Sequence, residues 1–218
     1  MTVRTHGWGG SPPSSDDEAI RRIKDATHRC VAEHGGATTI AHVAAVLGIS
    51  RQTVYRYFPS TDALLLTSAL EGTGPFLVRL SRRLRAVADP GEAVVEAVAY
   101  TVGQIPEEPY LRLLLDVRGG SSLLRSVTSD TARAVGRALL DQTAVDWGAS
   151  GIGPEQRNEL VEWTLRVVQS FLLDPGTPER NPAELRGFLR NWLAPGVAAA
   201  MRAAETGAAG RRDLAGTA

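Results

Sequence analysis

Apolar residues recur at three- and four-residue spacing along most of this chain, and Gly, Pro and Ser cut the pattern into helical lengths. Ser15 and Glu18 form a capping box that opens a helix with Ile20, Ile23, Thr27, Cys30 and Val31 facing inward, ending near Gly35-Gly36. Thr39 caps a short second helix whose Ile40, Val43, Ala44 and Leu47 form one buried face. Gly48 follows where a helix stop favours positive φ, Ile49 plugs the corner, and Ser50 caps a third helix with Val54 and Phe58 pointing back inward. Ser60 then caps a longer helix carrying Leu64, Leu65 and Ala69, with Asp62 in its first turn. Gly72-Thr73-Gly74-Pro75 interrupts it, because Pro75 lacks a backbone donor and crowds the preceding turn. A kink or break is predicted there, placed where a hinge would act.

Further along, Asp89-Pro90-Gly91-Glu92 opens a helix to about Gln104, and Pro106 to Pro109 breaks the chain. A short apolar helix spans Tyr110 to Val117, Gly119-Gly120 ends it, and another is predicted from about Leu123 to Trp147. Gly153-Pro154 and Asn181-Pro182 open the last two, Glu155 to Leu173 and Ala183 to about Ala204. With no period-two strand pattern, the predicted class is all-α with about nine helices. A flexible arm (1–14) leads into a three-helix, helix-turn-helix head (15–60), then a helical body (61–206) and a loose Ala/Gly-rich tail (207–218).

The outer surface of the third helix carries the chemistry. With Val54 and Phe58 turned inward, Arg51, Gln52, Thr53, Tyr55 and Tyr57 are left on outer or flanking surfaces. Arg binds guanine through two hydrogen bonds, Gln does the same for adenine, and a Thr methyl packs on a thymine methyl. Tyr hydroxyls and the amides beginning at Ser50 bind phosphates, which fixes register without reading sequence. On periodicity alone a small amphipathic helix pair inside an ordinary helical domain remains open; the side-chain chemistry favours DNA.

Thr39, Val43-Ala44, Gly48-Ile49-Ser50, Thr53-Val54-Tyr55, Tyr57-Phe58 and Ala63-Leu64-Leu65 resemble the N-terminal signature of TetR-type regulators over roughly Glu18 to Leu66. The resemblance implies that Thr39, Tyr55 and Tyr57 touch phosphates while Arg51, Gln52 and Thr53 read bases. Thr61 stands where the family commonly has Lys, so this chain departs from the pattern at one phosphate contact. The family also pairs its last two long helices into a four-helix bundle with a partner subunit, and it implies a small-molecule site in the body.

Composition narrows the partners. Residues 1–60 carry seven Lys/Arg against five Asp/Glu and the remainder 17 against 19, so the chain is neutral overall with a faintly positive head. That argues against a nonspecific nucleic-acid coat and is compatible with a localised reading head. All four His residues, His6, His28, His34 and His42, lie in the N-terminal part, where they add positive charge as pH falls toward ~6. Cys30, the only cysteine, allows no intramolecular disulfide and no cysteine-rich metal site, and its place on an apolar helix face predicts a buried thiol. No stretch reaches the ~18 apolar residues of a membrane span and the first residues lack an apolar signal core, which predicts a cytoplasmic protein.

An enzyme would need catalytic spacing, and no His-Glu-x-x-His, paired Cys, Gly-x-Ser-x-Gly or phosphate-loop Lys occurs. Gly148-x-x-Gly151-x-Gly153 has no preceding strand and reads as a loop, and no cofactor or metal is predicted. Near the C-terminus Leu160, Trp163, Val167 and Phe171 form one stripe, and Leu185, Phe188, Leu189 and Trp192 another. Because a helix-turn-helix reader usually spans two half-sites about 34 Å apart, these stripes are predicted to form a homodimer interface. Tyr100, Gln104, Leu114 and Trp147 combine aromatic surface with polar tips and are the candidate lining of an effector pocket. The Arg run at Arg79, Arg82, Arg83 and Arg85 reads as a solvated face. The resulting expectation is a ligand-responsive repressor released from a near-palindromic operator by a small molecule. The alternative is a helical adaptor that binds proteins and no DNA.

Overall fold

The computed structural model describes residues 7–115, 128–149 and 151–203, without the side chains of 114 and 115. The all-α class is as predicted: every regular element among the described residues is helical. The order is α1 (Asp16–His34), a 3-10 turn (Gly35–Ala37), α2 (Ile40–Leu47), α3 (Arg51–Tyr57), α4 (Thr61–Gly72), α5 (Gly74–Leu84) and α6 (Pro90–Gln104). A second 3-10 turn (Ile105–Glu107) leads to α7 (Pro109–Leu115), α8 (Asp130–Leu140), α9 (Pro154–Leu173) and α10 (Pro182–Trp192), and residues 194–203 are helical again. The chain divides into two compact units, Met1–Pro75 with Pro106–Leu124, and Phe76–Ile105 with Arg125–Ala218.

The first unit holds the head. Ile23, Ala26 and Cys30 of α1 meet Ile40, Val43 and Ala44 of α2, Val54 of α3, Phe58 and Leu64 of α4 in one apolar core. Burial pushes the Cys30 thiol pKa up, as an inert apolar thiol requires. At the start of α1, Ser15 Oγ accepts the Glu18 N–H (3.2 Å) as predicted. The Glu18 carboxylate, however, reaches one residue further back, to the Ser14 N–H (2.7 Å) and hydroxyl (2.5 Å). Those bonds, with Arg22, hold Glu18 down to about 2. The lock is therefore complete above the ordinary carboxylate range and is lost only as pH falls toward about 2.

A second apolar group, Val31, Leu65, Ala69 and Leu113, joins α1 and α4 to α7, which is distant in sequence. The head's packing thus extends through α4 to Pro75 rather than stopping at residue 60. Tyr110 seats α7: its hydroxyl lies 2.5 Å from His28 Nδ1 and its ring stands edge-on to the His28 imidazole. Its ring also lies over Gly72, where a Cβ would come within 2.4 Å of two ring carbons. Glycine is required there for close approach, not for backbone freedom.

Residues 7–14 differ from the loose arm expected. The Trp8 N–H donates to the Leu47 carbonyl (2.9 Å), and the Arg22 guanidinium holds the Ser11 carbonyl (2.6 Å). Trp8 packs on the head core, and the backbone at Gly7 lies so close to Gly48 and Ile49 that a Cβ would meet the Gly48 carbonyl at 2.6 Å. Trp8, Gly9 and Gly10 all have positive φ, a tight turn that hydropathy does not register.

The predicted break in the joining helix is present. α4 ends at Gly72, the Thr73 hydroxyl donates to the Leu70 carbonyl (2.9 Å), and α5 starts at Gly74.

In the second unit α6 is central. Its Val94, Val95, Val98 and Ala99 pack against Val168 of α9, Leu185 and Leu189 of α10, and Leu193 and Val197 beyond. Glu96 ties the same helices: burial alone would raise its pKa, but hydrogen bonds from Arg186 (2.9 and 3.1 Å) and Arg83 hold it below the ordinary value. The helix expected to reach Trp147 stops at Leu140. The Trp147 indole N–H donates to the Leu140 carbonyl (3.1 Å), and the Thr143 hydroxyl donates to the same oxygen (2.7 Å). Side chains from the turn thus join the Thr143 N–H (3.1 Å) on a helix-end carbonyl.

Candidate nucleic-acid interface

The α2–α3 turn sets the direction of α3. Gly48 is left-handed (φ 63°, ψ 31°), so the Gly48 and Ile49 N–H groups reach back to the Ala45 (3.2 Å) and Ala44 (3.0 Å) carbonyls and stop α2. Ser50 Oγ then accepts the Thr53 N–H (3.1 Å) and starts α3. Val54, with no exposed surface, anchors the inner face of α3 to the core.

The outer face is open. Arg51 and Gln52 are exposed, Tyr55 leaves half its surface free, and Thr53 is half-buried. Ser50, Gln52, Thr53, Tyr55 and Arg56 line one shallow hollow. The structure therefore gathers five of the predicted residues, Ser50, Arg51, Gln52, Thr53 and Tyr55, on or beside one surface. Ser50 and Thr53 partly occupy each other, their hydroxyls 2.9 Å apart. Thr39, exposed at the start of α2, accepts the His42 N–H through Oγ1 (3.3 Å), while His42 Nδ1 accepts the Thr39 N–H (3.4 Å). Its own O–H remains available as a donor.

Tyr57 takes a flanking, half-buried place on α3. Its ring packs against the head core, and its hydroxyl donates to Asp16 Oδ1 (3.0 Å) while accepting from Arg56 (2.7 Å). Desolvation, and then the Asp16 bond, push its pKa up. Arg56 was missed in the sequence reading. It lies four residues after Gln52, a spacing that puts both on one helix face, so the signal was there.

The predicted pocket residues do not share one place. Trp147 is 5% exposed, within a core group of Ala93, Leu140, Val145, Ile152 and Val161. Tyr100 stacks on Phe76 (5.9 Å) beneath the Arg83 guanidinium (5.4 Å), Gln104 ends α6 half-buried, and the Leu114 side chain lies outside the described residues. Of the predicted interface stripes, Leu185 and Leu189 are corrected: both are buried inside the unit against α6. Leu160, Val167, Phe171 and Phe188 are half-buried at the edge of the same core, whereas Trp163 (42%) and Trp192 (75%) stand open.

A three-helix head that presents Arg, Gln, Thr and Tyr on the open face of its third helix is a head of the helix-turn-helix class. Residues 23–67 match the model of the bacterial regulatory proteins of the tetR family, which places the helix-turn-helix head in that family. It is similar to the uncharacterised HTH-type transcriptional regulator MT1294 of Mycobacterium tuberculosis, 26% identical over 191 residues, covering 85% of this chain and 89% of that protein. Among solved structures, the TetR family repressor AlkX of Dietzia has the same fold: TM-score 0.55, 21% identity, 86% of this chain and 97% of that one. So does the fatty acid degradation regulator FadR of Bacillus halodurans: TM-score 0.50, 17% identity, 81% and 95% covered. No helix among the described residues is long and apolar enough to cross a membrane.

Proposed function

We propose that this chain is a repressor that occupies a near-palindromic operator as a homodimer and is released when a small molecule binds the second unit. The observation that carries the DNA side is the open face of α3, where Arg51 and Gln52 project beside Tyr55 from a helix locked to the core through Val54. In this reading Arg51, Gln52 and Thr53 meet bases, while Thr39, Ser50, Tyr55 and Tyr57 meet phosphates. Affinity for duplex DNA is expected to fall linearly on a log–log salt plot, each neutralised phosphate adding roughly −0.9 to the slope. Fluorescence anisotropy across a salt series measures this. A chain that acts as a protein adaptor would show no retention on DNA at low salt.

Pairing is assigned to α9 and α10 through Trp163, Trp192 and the half-buried edge of their stripes, because large aromatic surface left open on a helix favours burial against a partner. Leu185 and Leu189 support that seam from below.

The effector is assigned to a cleft of about 370 Å³ between α5 and α8. Leu77, Val78, Val135, Ala138 and Leu139 supply apolar lining and Ser81, Arg82, Arg85 and Gln142 the polar part. Val78, in that lining, is 57% exposed. An apolar floor beside two guanidinium groups suits an organic anion with an aliphatic tail. Dodecanoate is expected to weaken operator binding by ~5 to 150-fold, the range of a 1 to 3 kcal/mol coupling. Arg82→Ala combined with Arg85→Ala is expected to abolish that response and keep DNA affinity. An undiminished response in the double variant would place the effector elsewhere.

A further inference from the structure

At the end of the reading helix, two groups suited to phosphate are already engaged by a carboxylate of the same chain. Asp16 Oδ1 accepts from the Tyr57 hydroxyl (3.0 Å) and from Arg56 (3.0 Å), and Arg56 also donates to the Tyr57 oxygen (2.7 Å). The guanidinium carbon lies 4.8 Å from the Tyr57 ring centroid, so all three side chains form one knot. The knot is open to solvent: the Asp16 and Arg56 side chains are 74% and 69% exposed. Arg56 also lines the hollow that holds Gln52 and Tyr55. A phosphate approaching this edge of α3 meets a guanidinium and a phenol whose shared partner is an anion, and that anion repels it.

We propose that Asp16 is a built-in competitor for the DNA backbone: it holds Arg56 and Tyr57 in the free protein and must give them up when phosphate binds. This rests on the reading that the α3 face meets DNA. Asp16 then acts through Arg56 and Tyr57, and it lowers affinity for all duplexes alike because phosphates carry no sequence. The device suits a head with little net positive charge, since it sets how firmly the protein holds nonspecific DNA without touching the base readers.

Asp17 provides the control. It is the neighbouring exposed carboxylate on the same helical turn and makes none of the three contacts, so Asp17→Asn changes net charge identically. Asp16→Asn is expected to tighten binding to random duplex ~2 to 5-fold beyond Asp17→Asn, the equivalent of one exposed ion pair. Asp16→Ser, which keeps a polar residue in the first turn, is expected to give the same gain. In an Arg56→Ala/Tyr57→Phe background, which removes both groups that Asp16 holds, the excess should vanish, which a merely structural role of Asp16 would not produce. Equal affinities for Asp16→Asn and Asp17→Asn overturn the proposal, and so does weaker binding by Asp16→Asn, which would mean that Asp16 orients Arg56 for DNA. If the unaltered protein binds no DNA, the functional reading falls as well, a result distinct from either.

Discussion

The double variant Arg51→Ala/Gln52→Ala is expected to lose operator recognition while keeping much of its hold on random DNA. Each bidentate contact to a base edge contributes about 1 to 3 kcal/mol of discrimination, so two together amount to ~30-fold at the least and ~10⁴-fold at the most. Both side chains are exposed on a helix whose inner face is fixed by Val54, so truncating them leaves the core untouched. Tyr55→Phe should behave differently, weakening cognate and random duplex by similar factors because a phenol hydroxyl on a phosphate carries no sequence information. Anisotropy titrations of the three proteins on both DNAs separate the roles. Equal losses on cognate and random DNA for the double variant would assign Arg51 and Gln52 to the backbone instead.

Gly72→Ala is expected to destabilise the protein, against the usual sign for this exchange. In a helix interior alanine is better than glycine by roughly 0.5 to 1 kcal/mol, and at Gly72, the last residue of α4, that gain is at most as large. Here the added methyl would sit 2.4 Å from two carbons of the Tyr110 ring, which cannot swing away because its hydroxyl is tied to His28. Overpacking of this kind costs about 1 to 3 kcal/mol and should win. Adding Tyr110→Ala should remove most of the penalty specific to Gly72→Ala, since the two effects share one contact. Urea unfolding of the single and double variants measures this. A single variant more stable than the parent would show that α7 does not rest on Gly72.

Local signals carried the head well. Thr39, Ser50 and Ser60 cap the helices expected of them, and Gly48 adopts the left-handed conformation that a sharp stop between α2 and α3 demands. Those features depend on neighbours within four residues, which is why they could be read directly. The misses involve distant partners. Nothing near Tyr110 indicates that it will seat against Gly72 and His28, and nothing near Trp8 indicates a backbone bond to Leu47. Leu185 and Leu189 lie on an apolar stripe that fits either a partner subunit or the chain's own α6, and periodicity cannot separate the two. Trp147 looked like a ligand contact because an indole has an apolar body and a polar tip. Its tip instead caps α8. Position on α3 puts Tyr57 at an outer or flanking place, and only its distant partner Asp16 fixes where the hydroxyl points.

The central claim is that two copies of this head read paired half-sites. Selection of bound fragments from a random duplex pool at physiological salt tests it in one step. The expected result is recovery of a near-palindrome whose half-site centres lie about one helical turn, or a whole multiple of it, apart, ~10 to 10.5 base pairs per turn. A single asymmetric half-site, or a pool that stays random through successive rounds, would contradict it.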